Sequence, residues 1–98
     1  MYGTVAHMKV KAGKGEELIA LMRGDIAERT PKGMRGVQVY RLDSNPDEFM
    51  LVVQFDDKAS YVANAEDPAQ DAEFRKLRDL LEADPHWHDG EVIHVQSA

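Results

Sequence analysis

Residues 86–91, in the order His-Trp-His-Asp-Gly-Glu, hold the chain's densest group of reactive side chains, and His94 follows shortly after. In an extended segment His86 and His88 share one face, where two imidazoles can ligate a divalent metal. No neighbouring residue completes a metal motif, so we predict no metal site. The sequence alone does not decide whether His86, His88 and His94 bind a metal, and that alternative stays open at this point. The flanking Asp-Pro and Asp-Gly pairs favour a loop, in which Trp87 is anchored in a hydrophobic seam and the histidines lie at the surface or at a subunit contact.

His7 belongs to a strand predicted over residues 2–11, where side chains alternate between an apolar face and a mixed face. It shares the mixed face with Val5, away from the helices predicted below. A histidine in this place is a hydrogen-bonded residue at a subunit interface or, where it lines a cavity, a catalytic base, because an unperturbed pKa of about 6.5 suits proton abstraction. We keep both roles and name His7 a candidate catalytic residue.

The element that must position these residues is Glu48–Phe55, which has the sequence EFMLVVQF. It is rich in β-branched and aromatic residues and apolar at consecutive positions, which predicts a strand buried on both faces. Odd-numbered residues point to one face and even-numbered residues to the other. Because soluble monomers rarely expose several large apolar groups together, we expect a second subunit to pack its sheet against the face that the helices leave open.

Periodicity predicts the remaining elements, with strands over residues 2–11, 35–42 and 91–96. A first helix begins at Glu16, contains Gly24 at a point of close packing, and buries Leu18, Leu21 or Met22, and Ile26. A short helix runs from a cap at Asp56 or Asp57 through Asn64. A longer helix begins at the Asp67-Pro68 signal, ends before Asp84, and buries Phe74, Leu77, Leu80 and Leu81. The order β-α-β-β-α-β predicts an α+β, ferredoxin-like split β-α-β fold, whose four-stranded antiparallel sheet carries both helices on one face.

Composition and charge limit the number of domains, the cell compartment and the classes of partner that we expect for this protein. The 98 residues fit a single domain spanning residues 1–98, and the absence of cysteine suits a reducing cytoplasm. No apolar run approaches the ~20 residues needed to cross a bilayer, and the first residues lack the pattern of a secretory signal. The formal net charge is −6, and apolar or acidic residues interrupt the basic clusters. We therefore predict a cytoplasmic protein with no membrane and no nucleic-acid partner.

Three segments carry a resemblance to a known family: residues 8–14 (MKVKAGK) entering the first helix, 33–39 (GMRGVQV) opening the second strand, and 53–61 (VQFDDKASY) joining a strand to the short helix. Over nearly its whole length the chain resembles the antibiotic biosynthesis monooxygenase (ABM) domains of the dimeric α+β barrel superfamily. The resemblance implies a homodimer in which two sheets pack face to face as a dimeric α+β barrel. Members of such families range from cofactor-free oxygenases to haem degraders, so the fold alone does not give the activity.

The haem-degrading branch of the family fits this sequence poorly. Those members carry an Asn on the first strand, a Trp on the short helix and a haem-ligating His on the longer helix. The corresponding positions here are Ala6 (or His7, if the register slips by one), a residue near Asn64, and Glu73 or Phe74. Because residues 70–83 contain no histidine, the proximal haem ligand is missing. We therefore predict that the protein uses no haem, and no other cofactor.

Cofactor-free oxygenases of the family act on electron-rich phenols or quinols, and the deprotonated substrate itself can reduce oxygen. The protein then supplies an apolar cavity and a few polar groups that orient the substrate anion. By this resemblance we predict catalytic roles for Asn64 and Tyr61, together with His7, and substrate binding by Thr4, Phe74 and Trp87. Tyr61 can equally be a core ring with a solvated hydroxyl, and Asn64 can simply end a short helix.

A second function stays open beside this one. The sequence shows no nucleophile–base pair, no phosphate-binding loop and no convincing metal cluster. The alternative is therefore a non-catalytic dimeric module that binds a small apolar ligand or supports another enzyme.

Overall fold

The computed structural model describes residues 1–26 and 28–98, and the side chains of all of these except residues 25 and 26. Its elements are β1 (Tyr2–Lys9), α1 (Gly15–Leu21), β2 (Met34–Arg41), β3 (Glu48–Phe55), α2 (Lys58–Ala65), α3 (Pro68–Arg78) and β4 (His86–Glu91). The four strands form one antiparallel sheet in the order β2-β3-β1-β4. The predicted α+β, ferredoxin-like architecture is confirmed. Of the described helices, none combines the length and the apolar character needed to span a membrane.

Strand β3 lies in the middle of the sheet, between β2 and β1. Its Leu51 is paired with Ala6 on β1 and with Val39 on β2. The odd-numbered side chains of β3 face the helices, where Phe49 and Phe55 are almost completely buried. The core around them is completed by Ala6, Met8, Val10, Leu18, Leu51, Leu77 and Leu81. Helix-side burial of this strand therefore follows the prediction.

The other face of the sheet, which we call the outer face, is covered by none of the described elements. Val5 is 41% exposed and Tyr40 is 55% exposed, although Val5 lies on a central strand. Val5 is paired with Val52, and Met50 lies two residues before Val52 on the same face of β3. The side chains of Val52 and Met50 are both half-buried. Within one chain, the prediction that β3 is buried on both faces is thus met only on the helix side.

Helix α1 is shorter than predicted and leads into a π-helical turn, Met22–Ile26. The backbone leaves helical geometry at Gly24, with φ −97° and ψ −105°. A Cβ built at Gly24 meets no atom within 4 Å, so the prediction of close packing there is wrong. This glycine instead occupies the kink. The predicted burial of the Ile26 side chain concerns a side chain outside those that the structure describes.

Both predicted helix caps are confirmed. The Asp57 carboxylate accepts a 2.8 Å hydrogen bond from Ser60 N at the start of α2. The Asp67 carboxylate accepts one of the same length from Ala69 N, and Pro68 occupies the first turn of α3. These bonds use backbone donors that a helix start leaves unpaired. The two short loops therefore fix where α2 and α3 begin, and with that which of their side chains face the sheet.

Helix α3 ends at Arg78, earlier than predicted. Leu81 forms an isolated antiparallel β-bridge with Val10, and Lys11 N donates to Leu80 O at 2.9 Å. Pairing with the end of β1 thus takes these residues out of the helix. Their apolar side chains reach the core all the same, since Leu81 is fully buried.

The last strand lies elsewhere than predicted. Residues 86–91 form β4, although they were expected to be a loop, and the predicted strand over residues 91–96 is wrong. Strand β4 pairs with β1 from His7↔His86 to Tyr2↔Glu91. Because β1 begins at Tyr2, the ladder ends at Glu91; Val92 N still donates to Met1 O at 2.9 Å, but no described strand lies beside the residues that follow. Ile93, 89% exposed, accordingly leaves the sheet.

The turn before β2 gives a test of backbone geometry. Gly33 has φ +84°, and a Cβ there would lie 2.7 Å from both Cβ and Oγ of Ser60. Gly13 has φ +81° and open space around it. We expect Gly13→Ala to lower the free energy of unfolding by about 1–2 kcal/mol, the cost of a left-handed residue with a side chain. Gly33→Ala should lose about 1–3 kcal/mol more through steric overlap, as measured by urea unfolding. Equal losses in the two variants would contradict the contact with Ser60.

Candidate active site

A cavity of about 1110 Å³ lies between the helices and the inner face of the sheet. Ligand pockets usually measure about 300–1,000 Å³ and are mostly apolar with a few polar groups. This cavity has the same character. Its apolar lining comes from both layers and includes Leu18, Ile19, Met22, Val37, Val39, Leu51, Val53, Phe74 and Leu77. Two polar clusters interrupt that lining.

The first polar cluster is Tyr61, Asp89 and Thr4, which come from α2, β4 and β1. The Tyr61 ring contacts Tyr2 and Phe55 edge-on, with ring centroids 5.4 and 5.7 Å away. Its hydroxyl donates a 2.8 Å hydrogen bond to Asp89 Oδ1. Asp89 is paired with Thr4 in the β1–β4 ladder, so both side chains stand on the inner face. The two aromatic contacts and the hydrogen bond together fix the position of the phenol.

Burial, and to a smaller extent the hydrogen bond to the Asp89 carboxylate, raise the pKa of Tyr61 to about 12. The nearby Thr4 hydroxyl acts in the opposite direction and lowers this pKa. Both raising effects disfavour the phenolate, which would lose hydration and would face the negative charge of Asp89. At neutral pH Tyr61 is therefore an uncharged phenol that can donate a hydrogen bond but cannot serve as a base.

Thr4 is the one buried polar residue among the described side chains and is 4% exposed. Its Oγ1 lies beside the Tyr61 oxygen but makes no hydrogen bond of full geometry with any described residue. A buried hydroxyl without a partner costs free energy. Since Thr4 lines the cavity, a ligand oxygen could satisfy it.

The second polar cluster is formed around Arg29, in the connection between α1 and β2. Arg29 Nη1 donates to Asn64 Oδ1 at 3.0 Å and to Gln70 Oε1 at 2.9 Å. Its Nη2 lies 3.1 Å from Asp67 Oδ2. Arg29, Asn64 and Gln70 all line the cavity. Asn64, in the last turn of α2, therefore does more than help to end the helix. Its side chain is held in a network that joins α2, α3 and the connection between α1 and β2.

Aromatic side chains bound the cavity between α3 and β4. The rings of Phe74 and Trp87 are 6.1 Å apart at 49°. Trp87 was expected in a loop, but it stands on β4 opposite Ala6, with its side chain on the inner face and 44% exposed. Phe74 is half-buried. The two inclined rings offer aromatic faces and edges that a ring-shaped ligand can contact.

His7 does not join the cavity. It stands on the outer face, where its Nε2 is 3.2 Å from Glu48 Oε1 and its ring is 6.3 Å from that of His86. His88 is on the same face, paired with Val5, while His94 contacts Gln96 beyond the sheet. Among the described residues no histidine lines the cavity, and no group of three His, Cys, Asp or Glu is placed to hold a metal ion.

The structure thus brings five of the six predicted site residues to one cavity: Thr4, Tyr61, Asn64, Phe74 and Trp87. Sequence reasoning missed Asp89, Arg29 and Gln70. Asp89 could have been found, because it lies two residues after Trp87 and would share its face if residues 86–91 were read as a strand. Nothing in the sequence around Arg29 indicates which carbonyl and carboxylate oxygens it contacts.

Solved structures share this fold. A conserved protein from Methanosarcina mazei Go1 gives a TM-score of 0.80 at 21% identity, covering 91% of this chain and 89% of that one. A protein from Chloroflexus aurantiacus J-10-fl, provisionally named an antibiotic biosynthesis monooxygenase, gives 0.81 at 20% identity, covering 98% and 96%. A point variant of SnoaB, a cofactor-independent oxygenase from Streptomyces nogalater, gives 0.81 at 14% identity, covering 96% and 94%. At these identities the likeness concerns the fold.

No curated protein sequence matches this chain. A family model does match it, over residues 1–76, under the description antibiotic biosynthesis monooxygenase. The match covers more than half of the chain and includes Thr4, Tyr61, Asn64 and Phe74, whereas β4 with Trp87 and Asp89 lies beyond it. The resemblance seen in the sequence is confirmed: the chain belongs to the antibiotic biosynthesis monooxygenase (ABM) family.

Proposed function

We propose that this protein is a cofactor-free monooxygenase that acts on a small aromatic phenol or quinol. We further propose that it works as a homodimer in the cytoplasm, which the cysteine-free sequence suits. The observation that carries the proposal is the cavity, whose apolar lining is interrupted by an uncharged Tyr61, an unpaired Thr4 hydroxyl and the Asn64 amide. Membership of the ABM family supports it.

The chemistry needs no external reductant if the substrate supplies the electrons. In an anthrone-type substrate, the ionised enol transfers electrons to O₂. The methylene carbon gains one oxygen atom and loses two hydrogens, and these leave with the second oxygen atom as water. The protein's share is to bind the ring, exclude water and stabilise the charge on the substrate oxygen. The absence of histidine from the described cavity lining suits a mechanism without haem.

Each cavity residue has a distinct part in this proposal. Phe74 and Trp87 hold the aromatic ring by stacking. Tyr61 and Thr4 donate hydrogen bonds to a substrate oxygen, Tyr61 doing so in exchange for its bond to Asp89. Asn64 contributes its amide nitrogen. His7, on the outer face, contacts Glu48 and belongs to the subunit contact rather than acting as the base.

Oxygen uptake is the direct test of this function. With a panel of hydroquinones and anthrones, the purified protein should consume oxygen, and Asn64→Ala or Tyr61→Phe should lower kcat at least roughly tenfold, because each removes a donor to the developing charge. Tyr40→Phe is the matched control, since Tyr40 lies on the outer face. Saturable binding of these compounds without oxygen uptake would favour the non-catalytic ligand-binding module instead.

A pH titration tests the state assigned to Tyr61. The difference in tyrosinate absorbance between wild type and Tyr61→Phe should have its midpoint near 12. Because this pKa is raised above the ordinary 10.0, the stability it contributes is complete below pH 10 and is lost as pH rises towards 12. Asp89→Asn should lower the midpoint only part of the way, since burial is the larger cause. A wild-type midpoint at 10 would mean that the phenol is fully hydrated.

Sedimentation at micromolar concentration tests the homodimer. The wild type should be a dimer and Val5→Arg a monomer, because the new charge would be buried at the centre of the outer face. Val62→Arg is the control, since Val62 is 39% exposed but lies on α2. A monomeric wild type would rule out the dimer, and equal dissociation of both variants would place the contact elsewhere.

A further inference from the structure

We propose that Arg29 orients the side-chain amides of Asn64 and Gln70 so that together they form a donor-only subsite for one ionised oxygen of an aromatic ligand. Arg29 is then a positioning residue, and Gln70 a ligand-binding residue. The inference rests on the proposed function only in taking the cavity as a binding site for phenol-type ligands.

The orientation of the two amides follows from the chemistry of their partner. A guanidinium group carries hydrogen-bond donors and no acceptor. The amide atoms that face Arg29 Nη1, 3.0 and 2.9 Å away, must therefore be the oxygens of Asn64 and Gln70. Each amide is left with its NH₂ group, and neither nitrogen has a hydrogen-bond partner among the described residues. Both residues line the cavity, so four N–H donors are available there.

The network is stiff enough to hold this orientation. Arg29 is bonded through two different nitrogens to three residues, which belong to α2, to the cap of α3 and to α3 itself. The Arg29 side chain is only 23% exposed. A planar guanidinium that makes several bonds loses little freedom for each one, whereas a lysine in its place could not reach all three acceptors in one fixed geometry.

Charges around the subsite select the kind of ligand. The carboxylate of Asp67, 3.1 Å from Nη2, compensates the charge of Arg29, so the cluster attracts an oxygen mainly through its N–H groups. Four carboxylates line the cavity itself: those of Glu66, Asp71, Glu73 and Asp89. Asp71 is paired with Arg75 and Glu73 Oε1 with Lys76, while Glu73 Oε2 is buried with no hydrogen-bond partner among the described residues. A ligand with several negative charges would be repelled, whereas an apolar ring with a single ionised oxygen fits.

The experiment uses 4-nitrophenol as the probe, because its ionised and neutral forms absorb differently, and its methyl ether 4-nitroanisole as the matched ligand without an ionisable oxygen. Above the pKa of the free probe, the wild type should bind 4-nitrophenol more tightly than 4-nitroanisole. The bound probe should also ionise at a lower pH than the free probe. Arg29→Lys and Gln70→Met should weaken 4-nitrophenol binding roughly tenfold and abolish that shift. Binding of 4-nitroanisole should stay within about twofold.

Two further variants separate this role from a loss of folding. Gln70→Glu keeps an oxygen for Arg29 and hence the network, yet it removes the amide donor, so it should also lose the ionisation shift while its thermal unfolding stays like that of the wild type. Arg35→Lys, which changes an exposed arginine that does not line the cavity, should bind both ligands as the wild type does.

Equal weakening of both ligands in Arg29→Lys, wild-type binding in Gln70→Glu, or failure of the wild type to bind 4-nitrophenol would each overturn the inference. Because the readout is binding, a protein that shows these differences but consumes no oxygen would contradict the proposed function alone.

Discussion

The pairing of β1 with β3 is the interaction on which the rest of the structure depends. It runs without interruption from Tyr2↔Phe55 to Lys9↔Glu48. This register decides, for every residue of both strands, whether its side chain faces the helices or the outer face, and a slip by one residue would exchange the two sets. Thr4 reaches the cavity and His7 does not because of this register.

The edge strands take their positions from that central pair. β4 is placed along β1, which brings Asp89 next to Thr4 and Trp87 next to Ala6. Tyr61 then reaches Asp89 across the cavity from α2, with Tyr2 and Phe55 on its ring. A polar group in an apolar cavity needs such support, since an unsupported phenol would have no fixed position. Its raised pKa is a consequence of the same burial.

The two polar clusters complement each other in the proposed chemistry. Tyr61 and Thr4 offer hydroxyl groups, and the Arg29 network offers amide N–H groups whose direction is set by a charged neighbour. Neither cluster contains a histidine, and the Asp89 carboxylate accepts a hydrogen bond from the Tyr61 hydroxyl; in the proposed reaction the substrate's own ionised oxygen begins the electron transfer. Fixed dipoles in a cavity with little water stabilise such an anion more than the same groups would in bulk solvent.

The sequence predicted several parts of this protein for local physical reasons. The apolar run of β3, the aspartate caps of α2 and α3 and the order of elements depend on residues close together in the chain, and so does the placement of Tyr61 and Asn64 on the short helix. These signals were sufficient for the fold class, whereas the candidate site residues were named from the resemblance to the ABM domains; five of those six residues line the cavity.

What the tertiary structure decided depends on contacts between distant residues. The extent of β4 is set by where β1 begins, so residues 92–96, which resemble a strand, lie outside the sheet while the polar residues 86–91 lie within it. Arg29 contacts residues 35 to 41 positions away, and Tyr61 contacts Asp89, 28 positions away. Local periodicity carries no information about such pairs, because they form only when the sheet register and the helix packing bring the segments together.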